Sequence, residues 1–419
     1  MPMQPKLKTI IPILTGALIL LFSSGIQGQM LNQYLKEAAE NNPGLQAAYH
    51  EYYAALEQVP QAGTLPDPTL SFGYFISPVE TRLGPQRLKV SLSQMFPWFG
   101  TLSEKQKAAA EQARVRYQEF LDQRNTLFKK VKIQWFRLYK TQEALRITRE
   151  NTAILQSLKQ VSRQNYETGK SRMTDLLRID VNIREQQNKL DDLRDRLSSE
   201  KTDFKLLLNR EPGDTLMLPG KIRDDTFDTV ALRDSIRSNP LMQALQNKET
   251  ALAHQYEVNR KKGYPSFSLA LDYAVVRERT DMQVNNSGRD VIMPMIGISI
   301  PLSRNKYQAM KKETELRIES VRSRQQEKLN NLSSRYTRQE EAYRKATRQI
   351  ELYREQIKES ERIYQLLKSR YSTDGENFFE LLRTRLMVLE YQLKLEQARA
   401  ERNIAVAKLE YLTHQTPSL

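Results

Sequence analysis

Residues 87 to 93 alternate, with Leu88, Val90 and Leu92 on one side and Lys89, Ser91 and Ser93 on the other. This is the period of a half-buried strand. The alternation ends at Gln94-Met-Phe-Pro-Trp-Phe-Gly100. From Leu102 to about Tyr166 the period is helical, with Tyr117, Leu121, Phe128, Val131, Trp135 and Leu138 recurring at threes, fours and sevens. At 1.5 Å per residue such a helix is about 100 Å long. Pro97 lacks a ladder donor and fixes its own φ, which suits a strand-to-helix exit. Phe96, Trp98 and Phe99 crowd that exit with aromatics, as at the rim where a β-barrel meets the membrane–water interface. An earlier strand opens after Pro66-Asp-Pro68, setting Leu70, Phe72, Tyr74 and Ile76 against Thr69, Ser71, Gly73 and Phe75, and a loop is predicted from Pro78 to Pro85. Before it, Leu31 to about Gln61 reads as helix with a break at Asn41-Asn-Pro-Gly44. Gly169 breaks the long helix. A return helix follows with Leu176, Ile179, Ile183, Leu190, Leu193, Leu197, Phe204 and Leu207, a coiled-coil stripe interrupted at Gln186 and Glu200.

The same plan then recurs. Asn239-Pro240 answers Asn42-Pro43 and Pro265 answers Pro68, both at an offset of 197 residues. Phe267, Leu269, Leu271, Tyr273 and Val275 alternate with polar or small neighbours, and Ile296, Ile298 and Ile300 form a fourth strand that leaves through Pro301. A second long helix runs from about Arg304 to Tyr371, breaks at Asp374-Gly375, and returns with Phe379, Leu382, Leu386, Leu389 and Leu393. The two breaks also match, Tyr166 to Arg178 lying 205 residues before Tyr371 to Arg383. Four correspondences in order imply an internal duplication. The predicted organisation is a signal peptide at 1–28, a first repeat at 29–213, an irregular connection at 214–232 and a second repeat at 233–419.

Composition narrows the class. The signal peptide is read from Lys6 and Lys8 ahead of an apolar run from Ile10 to Phe22 and the small residues Ser23, Ser24 and Gly25. No later run is long enough for a spanning helix, so an exported chain of this kind enters a membrane as strands. The chain has no Cys, which excludes disulfides and thiolate metal sites. Its net charge of +15 is spread along helices among Glu and Gln with no basic block, the pattern of a solvated helical surface and not of a nucleic-acid partner. His50, His254 and His414 share no ligand spacing, and Gly169-Lys-Ser171 lacks the upstream glycine of a phosphate loop. No catalytic, cofactor or metal site is predicted, and an enzyme is not expected.

Four strands of about ten residues are long enough to cross a bilayer but cannot close a barrel, and an open edge cannot face lipid. The barrel is therefore shared. Two chains give eight strands and a filled interior, whereas three give twelve and a lumen. In this order of elements, the Asn-Pro turns, the Gln94–Gly100 exit and the Tyr-x-x-Gly…Asp-Leu-Leu tip at 166–177, the chain resembles the outer-membrane efflux protein family of the TolC type. The exit looks most like members paired with heavy-metal or cation pumps. The resemblance implies a mainly α fold with a small β part: a homotrimer with a twelve-stranded outer-membrane barrel and a long α-helical coiled-coil barrel in the periplasm. It also implies a periplasmic adaptor protein and an inner-membrane pump as partners, with energy supplied by the pump.

By position in the family, Asp175 and Glu380 fall at the periplasmic mouth, with Arg178 and Arg383 a turn further on and Asp374 in the place of Gly169. These five residues are the expected pore gate, held by carboxylate–guanidinium pairing; the bland alternative is a local i,i+3 helix pair. Thr168, Gly169, Lys170, Ser171, Thr373 and Gly375 are the expected adaptor-docking tips, and Phe96, Trp98 and Phe99 the membrane girdle. A passive exit duct is one reading of the chain. An exported periplasmic coiled-coil scaffold is the other.

Overall fold

The computed structural model describes residues 26–222, 227–229 and 232–414. The signal-peptide reading falls on residues outside these, apart from its last three positions. The first half of the chain contains α1 (Ile26–Asn41), α2 (Pro43–Gly63), β1 (Thr69–Thr81), β2 (Gly84–Phe96), α3 (Thr101–Glu167) and α4 (Met173–Leu207). After a 3-10 turn at Arg233–Ser238 the second half repeats the order with α5 (Pro240–Lys261), β3 (Ser266–Val276), β4 (Val291–Ser299), α6 (Arg304–Asp374) and α7 (Phe378–Thr413). Each Asn-Pro pair opens a helix. Asn42 accepts the Leu45 N–H on its side-chain oxygen at 3.1 Å, with Pro43 at the first helical position, where its missing donor costs nothing.

The chain forms two compact units, each drawing on both halves. The first takes Met1–Gln46, Asp122–Asn239 and Asn330–Leu419. Its helices pack along the predicted stripe of α4, where Leu176, Ile179, Ile183, Leu190, Leu197 and Phe204 are buried. Each such side chain, fully buried, contributes about 1.5–3 kcal/mol. Gln186 and Glu200 are buried in the same stripe; Glu200 takes Arg196 at 3.0 Å, and Gln134 donates to the Glu200 backbone carbonyl at 3.1 Å. Tyr34, Trp135 and Phe204 form one aromatic cluster. Leu155, Leu158, Ile179, Ile183, Tyr364, Tyr371, Phe378, Leu381 and Leu382 form another, to which α3, α4, α6 and α7 all contribute. Here one expectation is corrected. Phe378 and not Phe379 joins the core, because α7 starts from a left-handed Asn377 that turns Phe378 back onto the Tyr371 ring, 5.4 Å away.

The second unit takes Ala47–Leu121 and Pro240–Leu329. It holds an antiparallel sheet in the order β1-β2-β3-β4, and no strand among the described residues pairs with the outer edges of β1 and β4. The predicted loop from Pro78 to Pro85 is almost all strand, and only Arg82 and Leu83 make the turn. Pro78 is tolerated because β1 is an edge strand and its register shifts between Tyr74 and Val79, while Pro85 stands second in β2, where its carbonyl accepts the Arg277 N–H at 2.9 Å. Gly84, at φ +133°, lies so close to the Arg277 carbonyl that a Cβ would stand 1.8 Å from it. Tyr117, expected on a core stripe, is partly exposed and packs on Tyr52.

Candidate channel tip and membrane girdle

The α3–α4 break is a Schellman ending. Gly169 is left-handed at φ +75°, Lys170 N–H donates to the Asn165 carbonyl at 2.7 Å, and Gly169 N–H donates to Tyr166 at 3.0 Å. At the α6–α7 break Gly375 takes the left-handed position at φ +72° and donates to the Tyr371 carbonyl at 3.1 Å. Gly375, and not Asp374, is therefore the counterpart of Gly169. Asp374 is the exposed last residue of α6.

The two tips are fastened together. Ser162 and Tyr371 share a hydroxyl–hydroxyl bond of 2.7 Å, and Asn165 donates to the Tyr371 carbonyl at 3.0 Å. Lys170 reaches the Thr373 carbonyl at 3.3 Å, and Gly375 sits against the Lys170 carbonyl so closely that a Cβ would be 2.2 Å from it. Thr168 and Ser171 turn their hydroxyls inward, to the Gln164 and Ser162 carbonyls. Thr373 bonds Ser369 in the same way.

Asp175 and Glu380 each stand three residues after their helix caps, Arg172 and Asn377. Asp175 accepts the Arg172 N–H at 3.4 Å, and both carboxylates sit where a helix N-terminus favours negative charge. Among the described residues neither Asp175 nor Glu380 meets its arginine in an ion pair; the Arg178 guanidinium instead lies 5.3 Å from the Phe379 ring. Arg178 and Arg383 line one groove of about 680 Å³ with Phe379, Leu386, Glu390 and Lys394. The structure thus groups the two arginines. Sequence reasoning missed Arg385, which is 4% exposed, 3.4 Å from Glu361 and 5.3 Å from the Tyr364 ring. Burial pushes its guanidinium below the usual arginine range. Nothing in the local spacing of α7 marks it, since its partners come from α6.

In the sheet, the register lines up most of the predicted apolar positions on one face, except Ile76, which falls in the irregularity of β1, and Ile300, which lies just past the end of β4. Leu70, Phe72 and Tyr74 pair with Leu92, Val90 and Leu88, which pair in turn with Leu271, Tyr273 and Val275. Phe267 and Leu269 pair with Ile298 and Ile296. Phe72 is 71% and Ile296 77% exposed, so this face has no cover among the described residues. On the opposite face Asp272 is buried between Lys89 and Ser91, both of which bond its carboxylate. At the helix end of the strands Trp98 stacks on Tyr264 at 5.1 Å and on Phe267 at 6.0 Å, while Phe96 is half-buried and Phe99 is exposed. Tyr264 and Phe267 thus join the aromatics read from the exit in one cluster of rings.

No helix among the described residues is long and apolar enough to cross a membrane, a statement that does not bear on strands. No curated protein sequence matches the chain. Among solved structures it is similar to the outer membrane protein VceC of Vibrio cholerae, at 15% identity and TM-score 0.73 over 91% of this chain and 95% of that one. It is similar to the transmembrane channel CusC at 17% identity and TM-score 0.74, over 92% of each chain. It is also similar to the open state of the MtrE outer membrane channel of Neisseria gonorrhoeae, at 14% identity and TM-score 0.72 over 92% and 88%. These likenesses establish the TolC-like fold. The outer membrane efflux protein profile matches twice, at residues 34–210 and 231–413, one match to each half of the duplication. With most of its length so matched, the chain belongs to the outer membrane efflux protein family, whose members are transport conduits and not enzymes.

Proposed function

We propose that the chain is the exit duct of a tripartite efflux system, a homotrimer whose twelve strands close a barrel in the outer membrane and whose helices continue it into the periplasm. A periplasmic adaptor docks at the tips around Thr168–Ser171 and Thr373–Gly375, and an inner-membrane pump supplies the energy. One observation carries this reading: a four-stranded sheet that has, among the described residues, one uncovered apolar face, one polar face and two unpaired edges. Lipid can cover the apolar face, but only further strands can satisfy edges inside a membrane. A periplasmic scaffold would leave both exposed to water. Cargo of the cation class is supported by the Pro-Trp-Phe-Gly exit and by the carboxylates at the tips.

The test is recovery and conductance. The mature protein is expected in the outer-membrane fraction, at three times the chain mass in mild detergent, and conducting in planar bilayers. Because the chain has no native Cys, single cysteines at Lys170 or Thr373 can carry a photo-crosslinker to trap the adaptor. Recovery as a soluble, non-conducting monomer would sink the duct reading. Conduction without any tip crosslink to a periplasmic protein would sink the tripartite part alone.

A further inference from the structure

Where β2, β3 and β4 meet the helices, the second unit holds a cleft of about 280 Å³. Trp98, Thr101, Lys105, Lys261, Lys262 and Tyr264 line it, and its lining contains no carboxylate. None of the three lysines takes part in an ion pair among the described residues. Burial and the neighbouring Lys105 and Lys306 charges push the Lys262 ammonium below its usual range. Gly100 makes room for the cluster: it is left-handed at φ +75°, and a Cβ there would stand 2.6 Å from the Lys261 ammonium. Thr101, the first residue of α3, is 3% exposed, yet its hydroxyl has no hydrogen-bond partner among the described residues. A buried hydroxyl without a partner calls for a ligand or water. Converging ammonium groups at the start of a long helix call for that ligand to be an anion.

The position decides which anion. The cleft lies at the ends of the strands, and its wall includes the stacked pair of Trp98 and Tyr264. Rings of this kind settle at headgroup depth, with their apolar bodies toward the acyl chains. We propose that the cleft binds the phosphate of an anionic phospholipid headgroup in the leaflet facing the helices, held by Lys105, Lys261, Lys262 and the Thr101 hydroxyl. The inference rests on the exit-duct reading, since only a membrane-spanning sheet brings this cleft to a headgroup layer.

Trp98 is itself the reporter, as the other tryptophan, Trp135, is buried in a helical core and gives a constant background. The full-length channel is reconstituted in vesicles of phosphatidylcholine mixed with phosphatidylglycerol, one or the other brominated on its chains. Bromine quenching then gives the relative affinity of the two lipids at Trp98. A preference of about fivefold for phosphatidylglycerol is expected, the scale of one lysine's contact with an anionic surface. Lys105→Gln with Lys261→Gln and Lys262→Gln should bring the ratio to one. The same three positions as Arg should keep it, and Thr101→Val should lower it.

Equal quenching by both lipids in the wild type, or a preference unchanged in the triple Gln variant, overturns the proposal. So does loss of the preference when inorganic phosphate replaces chloride at matched ionic strength, which would identify a soluble-phosphate site. If the triple Gln variant cannot be reconstituted, the Arg variant and Thr101→Val decide: an unchanged ratio in Thr101→Val together with a lost one in the Arg variant refutes the assigned contacts. Planar-bilayer conductance of the same preparations keeps the two readings apart, since a conducting channel without lipid preference fails only this one.

Discussion

At the scale of single residues, buried charge is handled by specific partners whose removal has a calculable direction. Glu396, 7% exposed, accepts the Tyr139 hydroxyl and lies 2.6 Å from Arg399. Burial and the Glu396 carboxylate push the Tyr139 phenol well above its usual range, so it donates at every physiological pH. Tyr139→Phe is expected to cost about 1.5–3 kcal/mol, the worth of a hydrogen bond to a charged group. Thermal melting followed by helical circular dichroism checks it, and a melt equal to wild type would mean that Arg399 alone satisfies the carboxylate. Glu104 gives a pH prediction. It lies 2.8 Å from His254 and 3.0 Å from Lys107, and the His254 hydrogen bond, then that from Lys107, hold its carboxyl below the usual 4.5 against the opposing effect of burial. A carboxyl lowered on folding contributes stability that is complete above its unfolded value and lost as pH falls through its folded one. The wild type should therefore lose more melting temperature than Glu104→Gln between neutral pH and the acid side of pH 4.5. Parallel losses in the two proteins would show that the pair contributes nothing.

At the scale of elements, the strands offer the sharpest test. Their register places Leu269, Leu271, Ile296 and Val90 on one face and Ser268, Ser91 and Asp272 on the other. Arg introduced at Leu271 or Ile296 should cost about 2–4 kcal/mol if that face meets lipid at the midplane, and far less at Ser268 or Ser91. Denaturant titration of the reconstituted protein measures the difference. Equal tolerance of the two faces would reject the lipid-facing assignment. The helix starts show how local rules and function compete for one residue. Asp175 is a first-turn acid bonded to its own cap, a role that needs no pore.

At the scale of the whole molecule, three chains would bring Asp175 and Glu380 from each to one mouth, six carboxylates in all, with Arg178 and Arg383 in the groove behind them. Like charges at a constriction repel, and on the proposed reading the arginines, which have no carboxylate partner among the described residues, would hold the mouth across chains. Arg178→Glu with Arg383→Glu should raise single-channel conductance by loosening the tip. Asp175→Asn with Glu380→Gln should reduce the preference for cations. Wild-type amplitude and selectivity in both double variants would leave these residues as helix-start acids and groove arginines only.

The order of elements was legible from the chain alone, because it depends on period: two for the strands and 3.6 for the helices, with Pro and Gly at the breaks. The duplication was legible too, since Pro43 and Pro240 each open a helix at the same place in the two halves. So was the division of the strands into two faces, because alternation alone assigns every residue to one side. Tertiary structure decided what depends on partners distant in sequence. Only packing against Tyr371 shows that Phe378 and not Phe379 enters the core, and only the left-handed backbone of Gly375 sets the register of the second tip. Arg385 is buried by residues of another helix, and no spacing within α7 predicts that. The lysine cleft at the strand ends gathers Lys105 and Lys261, more than a hundred and fifty positions apart. Neither is unusual in its own segment; the sheet that joins the two halves makes them neighbours.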